Sequence, residues 1–121
     1  ELVNQINKSR SEKEKEYIVT VEEDITKHFL REMSEGVYLK ELDRTTKPCI
    51  VFQEENIPVA QRKRQFHIIL TEGLNRQIRR MCETLGYRVK RLKRVRIMNL
   101  TVDGLKPGEY REIRKEELGL E

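Results

Sequence analysis

Residues 16–22 (EYIVTVE) alternate β-forming and polar positions, the two-residue period of a strand with one buried face. Ile25, Phe29, Leu30 and Met33 then recur at helical spacing. They predict a helix over 25–35, with Asp24 as its N-cap and Gly36 at the C′ position. Residues 47–53 (KPCIVFQ) and 63–71 (KRQFHIILT) read as further strands, joined by 54–60 with Pro58 inside it. Pro48 lacks an N–H, so the first of these is an edge strand or starts at Cys49. Leu74, Ile78, Met81, Cys82 and Leu85 mark one face of an amphipathic helix over 74–85, ended by Gly86. Beyond it, 87–96 and 97–102 read as two strands or one bent strand. Turns come next at Asp103-Gly104 and Pro107-Gly108, then a strand over 109–113 and a short helix over 114–120. Leu2, Val3 and Ile6 give helical spacing to the start. Hairpins mixed with helical crossovers define an α+β fold: a mainly antiparallel mixed sheet with packed helices.

The chain has 121 residues, the size of one domain or part of one, so 1–121 is taken as a single unit. Only 36% of residues are apolar and 38% are charged, which leaves much of the sequence on the surface. No apolar run approaches the roughly 18 residues of a membrane span, and no secretory signal pattern is seen. The first residue is Glu1 rather than methionine, which suggests a trimmed product. Cys49 and Cys82 stand far apart with no C-x-x-C pair. That usage fits reduced thiols in a cytoplasmic protein better than a disulfide or a metal site.

Charge changes the picture most. The net charge is +4, but residues 61–96 hold twelve Lys/Arg against two acids, a local balance of +10 that leaves −6 on the rest. A cationic block this poor in acids points to a polyanion, whose phosphates exchange counterions for Lys and Arg. The candidate contacts are Arg62, Lys63, Arg64, Asn75, Arg76, Gln77, Arg80, Lys90, Arg91, Lys93, Arg94 and Arg96.

Residues 70–83 (LTEGLNRQIRRMCE) concentrate the chemistry. A strand delivers the chain to Glu72-Gly73, where glycine allows a sharp turn, and a helix opens with Asn75, Arg76, Gln77, Arg79 and Arg80. On that helix Arg76 and Arg80 project outward, while Arg79 flanks the apolar stripe and can reach into a cleft. His28 and His67 have no partner motif and read as structural, and Cys82 as core. No Gly-rich loop has P-loop spacing.

EGLNRQIRRM resembles the E-G-x-x-R-Q-I-R-R-M segment of the pseudouridine synthases of the ribosomal small-subunit synthase A family. EKEY (14–17) resembles that family's K-x-Y strand, while LKRVRI (92–97) and PGEY (107–110) are similar to its C-terminal strands. MCETLGY with the later RIMN looks closest to the F-type branch, which acts on large-subunit (23S) ribosomal RNA. The resemblance runs over essentially the whole chain. It implies site-specific isomerisation of uridine to pseudouridine in ribosomal RNA, with no cofactor and no metal. The target base is flipped out of the RNA and stacks on an aromatic ring. Tyr17 matches the family's active-site tyrosine, Arg79 the arginine that pairs with the nucleophilic aspartate, and Ile97 the aliphatic wall of the pocket. Ribosomal RNA is the implied partner of a monomer that touches no membrane.

One departure is large. The family's aspartate sits in a G-R-L-D-x-x-T-x-G motif before K-x-Y, and residues 2–8 resemble the family's sequence shortly after that motif. The stretch Leu42-Asp43-Arg44-Thr45-Thr46 imitates it, but lies after Tyr17 and lacks the glycines, so Asp43 reads as a solvated turn acid. The chain is therefore expected to be the C-terminal part of a catalytic domain, inactive alone, without the aspartate motif or the family's N-terminal RNA-binding domain. A non-catalytic RNA-binding module of ribosome assembly and a basic protein–protein adaptor are the competing readings.

Overall fold

The computed structural model describes residues 14–54, 57–95 and 105–111. Two longer helices and a five-stranded sheet dominate it. The chain order is β1 (Lys15–Val21), α1 (Lys27–Glu35), β2 (Tyr38–Leu39), a 3-10 turn (Lys40–Leu42), β3 (Arg44–Thr45), β4 (Ile50–Phe52), the single-turn α2 (Val59–Arg62), β5 (Gln65–Leu70), α3 (Gln77–Thr84), β6 (Val89–Val95) and β7 (Tyr110–Arg111). The main sheet runs β6-β1-β5-β4-β7, and β2 and β3 form a separate hairpin. Every pairing in the main sheet is antiparallel except that of β4 with β7. This is the α+β, mainly antiparallel mixed sheet that the periodicity predicts.

One sheet face carries the apolar core. Val19 and Val21 of β1, Val51 of β4, and Phe66, Ile68 and Leu70 of β5 pack with Phe29, Leu30 and Met33 of α1 and Ile78, Met81 and Cys82 of α3. Phe29 meets Phe66 edge-on at 5.4 Å and lies against Tyr87 at 4.0 Å. β5 is buried along its whole length, flanked by β1 and β4. Its other face carries Gln65, His67 and Ile69. There His67 lies opposite Ile18 in the ladder and hydrogen-bonds the buried Glu16.

The N-cap of α1 differs from expectation. Thr26, not Asp24, accepts the Phe29 N–H at 3.0 Å, and the helix starts at Lys27. Asp24 is instead drawn outward by Arg64, whose Nε donates to it at 2.9 Å. The expected 54–60 connection contains the turn of α2, and the hairpin of β2 and β3 is additional to the predicted elements. β4 starts at Ile50, after Pro48, but lies inside the sheet with β7 on its far side. The elements expected over 2–6, 97–102 and 114–120 lie outside the described residues, as do Asp103, Gly104 and positions 112 and 113 of the last strand.

Both helices end at the predicted glycine, Gly86 at C′ as expected and Gly36 one position earlier, as the C-cap itself. At the end of α3, Gly86 (φ 86) donates to Glu83 O and Tyr87 donates to Cys82 O, the paired bonds of a Schellman motif. Gly36 (φ 119) ends α1 under a tighter restriction: a Cβ there would stand 2.5 Å from the Thr46 carbonyl. At Gly86 a Cβ would meet nothing within 4 Å. Gly36→Ala is therefore expected to destabilise the fold by roughly 1–3 kcal/mol or more from backbone strain alone. Gly86→Ala should lose less, and urea denaturation of both variants measures the difference.

Candidate active-site pocket

β5 ends at Leu70 and hands the chain through Glu72-Gly73 to α3, while β1 and β6 lie alongside. Together they enclose a cavity of about 360 Å³. Tyr17 stands in its wall, half-buried, with Ile68 opposite it on β5 and Arg94 opposite it on β6. Arg79 of α3 lines the same cavity, so the structure brings the predicted tyrosine and arginine together. Leu70, Leu74, Ile78 and Leu92 supply apolar lining, and Lys15, Arg76, Arg79 and Arg94 supply four cations against one acid, Glu72. Lys15 and Leu92 had no role assigned from sequence. Their strand register, which sets both on the Tyr17 face, identifies them. Ile97 and Arg96 lie outside the described residues.

The approach to α3 is more constrained than an ordinary helix start. Residues 74–76 are a turn, not helix, with Gln77 N bonded to Leu74 O at 3.2 Å. Arg76 is left-handed (φ 49, ψ 38), a conformation that costs a non-glycine residue about 1–2 kcal/mol. Gln77 is buried, not surface-facing: its Nε2 donates to Glu72 Oε1 at 3.1 Å, and its Oε1 accepts from Leu74 N at 3.3 Å. Glu72 Oε1 also accepts the Lys47 N–H at 2.9 Å. On the other side, Arg80 donates through Nε and Nη2 to the carbonyl and side-chain oxygens of Asn75, both at 2.9 Å, and stands 3.9 Å from Glu41.

The remaining basic residues divide by location. Arg62 corrects the expected RNA-contact set, because it is buried: Nε donates to Glu54 O at 2.9 Å and Nη2 to Ile57 O at 2.6 Å. Its guanidinium ties the carbonyls of Glu54 and Ile57 to α2 instead of projecting from the surface. Lys63 and Arg64 are exposed at the far end of β5 from the pocket, Arg64 paired with Asp24. That guanidinium lowers the Asp24 carboxyl below its ordinary value. On β6, Lys90, Arg91, Lys93 and Arg94 are exposed. Lys93 and Arg91 lie opposite Ile18 and Thr20, so they share the face away from Tyr17.

Neither cysteine is chemically poised: burial pushes Cys49 and Cys82 up to about 12, and a thiolate is the reactive form. Among the described residues no group of three or more His, Cys, Asp and Glu is arranged to hold a metal ion. Asp43 is exposed on the tip of the β2–β3 hairpin, left-handed, and accepts from Tyr38 Oη at 2.7 Å, away from the residues lining the pocket. No helix among the described residues is long and apolar enough to cross a membrane.

Over nearly its whole length the chain is similar to RNA pseudouridine synthases, which are its homologues. A solved pseudouridylate synthase matches it with a TM-score of 0.58 and 26% identity, covering 87% of this chain and 43% of that one. More particularly, the chain is 47% identical over 118 residues to the dual-specificity RNA pseudouridine synthase RluF of Escherichia coli K12, covering 98% of this chain and 38% of RluF. It is 34% identical over 116 residues to the ribosomal small subunit pseudouridine synthase A of Salmonella typhimurium LT2, covering 95% of this chain and 47% of that protein. The chain thus spans less than half the length of these relatives. No family model matches it.

Behind Tyr17, on the opposite sheet face, His67 Nδ1 lies 2.7 Å from Glu16 Oε2 and Nε2 lies 3.1 Å from Glu54 Oε1. Burial pulls the imidazole down, but hydrogen bonds and charge from both carboxylates outweigh it and the net shift is upward. A raised folded value means that stability is fully present below the unfolded value, about 6.5, and is lost as pH rises through the folded one. The stability margin of the wild type over His67→Asn should accordingly be largest near pH 6 and shrink toward alkaline pH. Denaturant titrations across that range test it, and a flat margin would show His67 neutral throughout.

Proposed function

We propose that the protein containing this chain isomerises uridine to pseudouridine in ribosomal RNA, and that this chain supplies an RNA-contact surface and part of the catalytic pocket. The observation that carries the reading is the meeting of Tyr17 and Arg79 in one apolar cavity rimmed by cations. The reaction breaks the N1–C1′ glycosidic bond, turns the detached base, and forms a C5–C1′ bond. The C5 proton is lost and N1 gains one, so no redox partner is needed. Tyr17 offers a ring face for the extruded base. Arg79 offers a fixed cation for an aspartate nucleophile, which stays ionised when so paired.

That aspartate is assigned to a segment outside this chain, preceding the Tyr17 strand; the first aspartate within the chain is Asp24. The family's N-terminal RNA-binding domain is placed outside it as well. Chain residues 1–121 then form the C-terminal part of the catalytic domain of a cytoplasmic monomer, with large-subunit ribosomal RNA as substrate. Arg76 and Arg94 at the pocket rim and Lys90, Arg91 and Lys93 on β6 are the phosphate contacts this reading favours; Ile97 remains the proposed aliphatic wall.

The 121-residue chain alone should form no pseudouridine, whereas the full-length protein should. Turnover by the isolated chain, measured on a ribosomal RNA fragment, would promote Asp43 and overturn the assignment of the nucleophile.

In the full-length protein, Arg79→Ala should lower turnover at saturating RNA a hundredfold or more. The size of the loss reflects the roughly 3–5 kcal/mol that a broken buried charge pair costs, with about 1.4 kcal/mol for each factor of ten in rate. Lys93→Ala should leave that rate near normal, weaken RNA affinity and reduce the slope of log K against log salt by about 0.7–0.9. Rate and dissociation constant are measured for both. Near-normal turnover in Arg79→Ala would make it a surface charge and end the active-site reading.

A further inference from the structure

We propose that Gln77 and Glu72 are positioning residues: their side chains clasp the turn before α3 and hold Arg76 and Arg79 at the pocket. The proposal rests on the isomerase reading of that pocket and adds two residues that touch no reacting atom in it. Three observations carry it. Arg76 sits in a left-handed conformation that an L residue keeps only when its surroundings enforce it. Gln77, the next residue, is 6% exposed and folds back over the turn, donating to Glu72 Oε1 and accepting from Leu74 N. Glu72 is in turn tied to Lys47 N, so the clasp is anchored on a separate segment of chain. The turn is thereby fixed from the inside by an amide and a carboxylate, and from the outside by the Arg80–Asn75 contact.

Glu72 is also the one acid among the described residues that line the cavity, a place from which its charge could take part in chemistry. The geometry points to an acceptor role. Its Oε1 already receives two N–H donors, Lys47 N at 2.9 Å and Gln77 Nε2 at 3.1 Å. A neutral carbonyl oxygen at the same place could receive both. A glutamine at 72 can also donate to a carboxylate at 77, which still accepts from Leu74 N, but its NH2 then stands where Oε1 accepts from Lys47 N, so that anchor is given up.

The test uses the full-length protein, a ribosomal RNA fragment, and the variants Gln77→Ala, Gln77→Glu, Glu72→Gln, Glu72→Ala and the double variant Glu72→Gln/Gln77→Glu. Single-turnover rate and RNA dissociation constant are measured for each, beside amide exchange at Lys47 and Leu74. Gln77→Ala and Gln77→Glu should slow turnover on the order of tenfold to a hundredfold, the effect of misplacing a catalytic group by about 1 Å. RNA affinity should fall much less, and in Gln77→Ala the Leu74 amide should exchange faster. Glu72→Gln should stay close to the wild type, and the double variant should recover part of the rate that Gln77→Glu loses while its Lys47 amide exchanges faster. A merely stabilising contact would give no such recovery of rate by reversal of polarity. Wild-type rates in Gln77→Ala, or no recovery in the double variant, would overturn the proposal, and equal losses in Glu72→Gln and Glu72→Ala would assign the carboxylate a chemical role instead. If the wild type itself forms no pseudouridine, the isomerase reading fails separately. The clasp is then judged on the Lys47 and Leu74 amides, and unchanged protection in Gln77→Ala overturns it.

Discussion

Tyr17 faces Ile68 across the β1–β5 ladder, and the geometry of the pocket descends from that one register. On the core side the same pairing sets Val19 against Phe66; on the far side it sets Ile18 against His67, next to Glu16. A slip of one residue would turn every side chain of β1 to the opposite face. Glu16 would enter the apolar core away from its imidazole, and a buried charge stripped of its partner costs several kcal/mol. The two faces therefore specify the register jointly, one by apolar burial and the other by a buried polar contact. Because β5 runs on through Glu72 into α3, the position of Arg79 relative to Tyr17 is inherited from the same ladder.

The cationic block is not a uniform surface. Arg62 is consumed by backbone carbonyls of the 54–62 connection, Arg80 by Asn75, and Arg64 by Asp24. Guanidinium groups suit these places because a planar fork of five donors can satisfy several oxygens at once. Of the cations that remain for a polyanion, those of β6 fall on two sheet faces. Arg94 lines the pocket, whereas Arg91 and Lys93 lie opposite Thr20 and Ile18 on the other side of β6. An edge strand with cations on both faces can track a folded backbone around its rim rather than only across one flat side.

Periodicity located β1, both long helices, β4, β5 and β6, because each shows its face in the spacing of its apolar residues. It could not find the β2–β3 hairpin, whose strands of two residues are shorter than one full alternation. The cap of α1 was misplaced by two residues because Asp24 and Thr26 are both good cap residues. The choice between them fell to Arg64, forty positions away. The EKEY and LNRQIRRM stretches carried Tyr17 and Arg79 in plain view. The left-handed Arg76 and the inward turn of Gln77 were hidden because a continuous i, i+4 pattern through Leu74 reads as unbroken helix. The burial of Arg62 was likewise invisible, since its partners are carbonyl oxygens that carry no residue-type signal.

The pocket is also electrostatically incomplete in a way that constrains what can occupy it. Lys15, Arg76, Arg79 and Arg94 surround an apolar lining, and the one carboxylate among the lining residues, Glu72, already serves two N–H donors. Like charges drawn together beside apolar walls repel more strongly than the same charges in open water, because less solvent lies between them. Nothing in the packing requires that concentration: Leu70, Leu74, Ile78 and Leu92 would line the cavity as well without it. Anions that enter the site relieve this repulsion beyond what salt and solvent screen. A phosphate at the rim and a carboxylate near Arg79 would do so together, since each neutralises a different part of the cluster and so lessens the repulsion that the other must overcome. An incoming RNA backbone and a nucleophilic aspartate would on this account favour each other's presence in the site, although both are anionic.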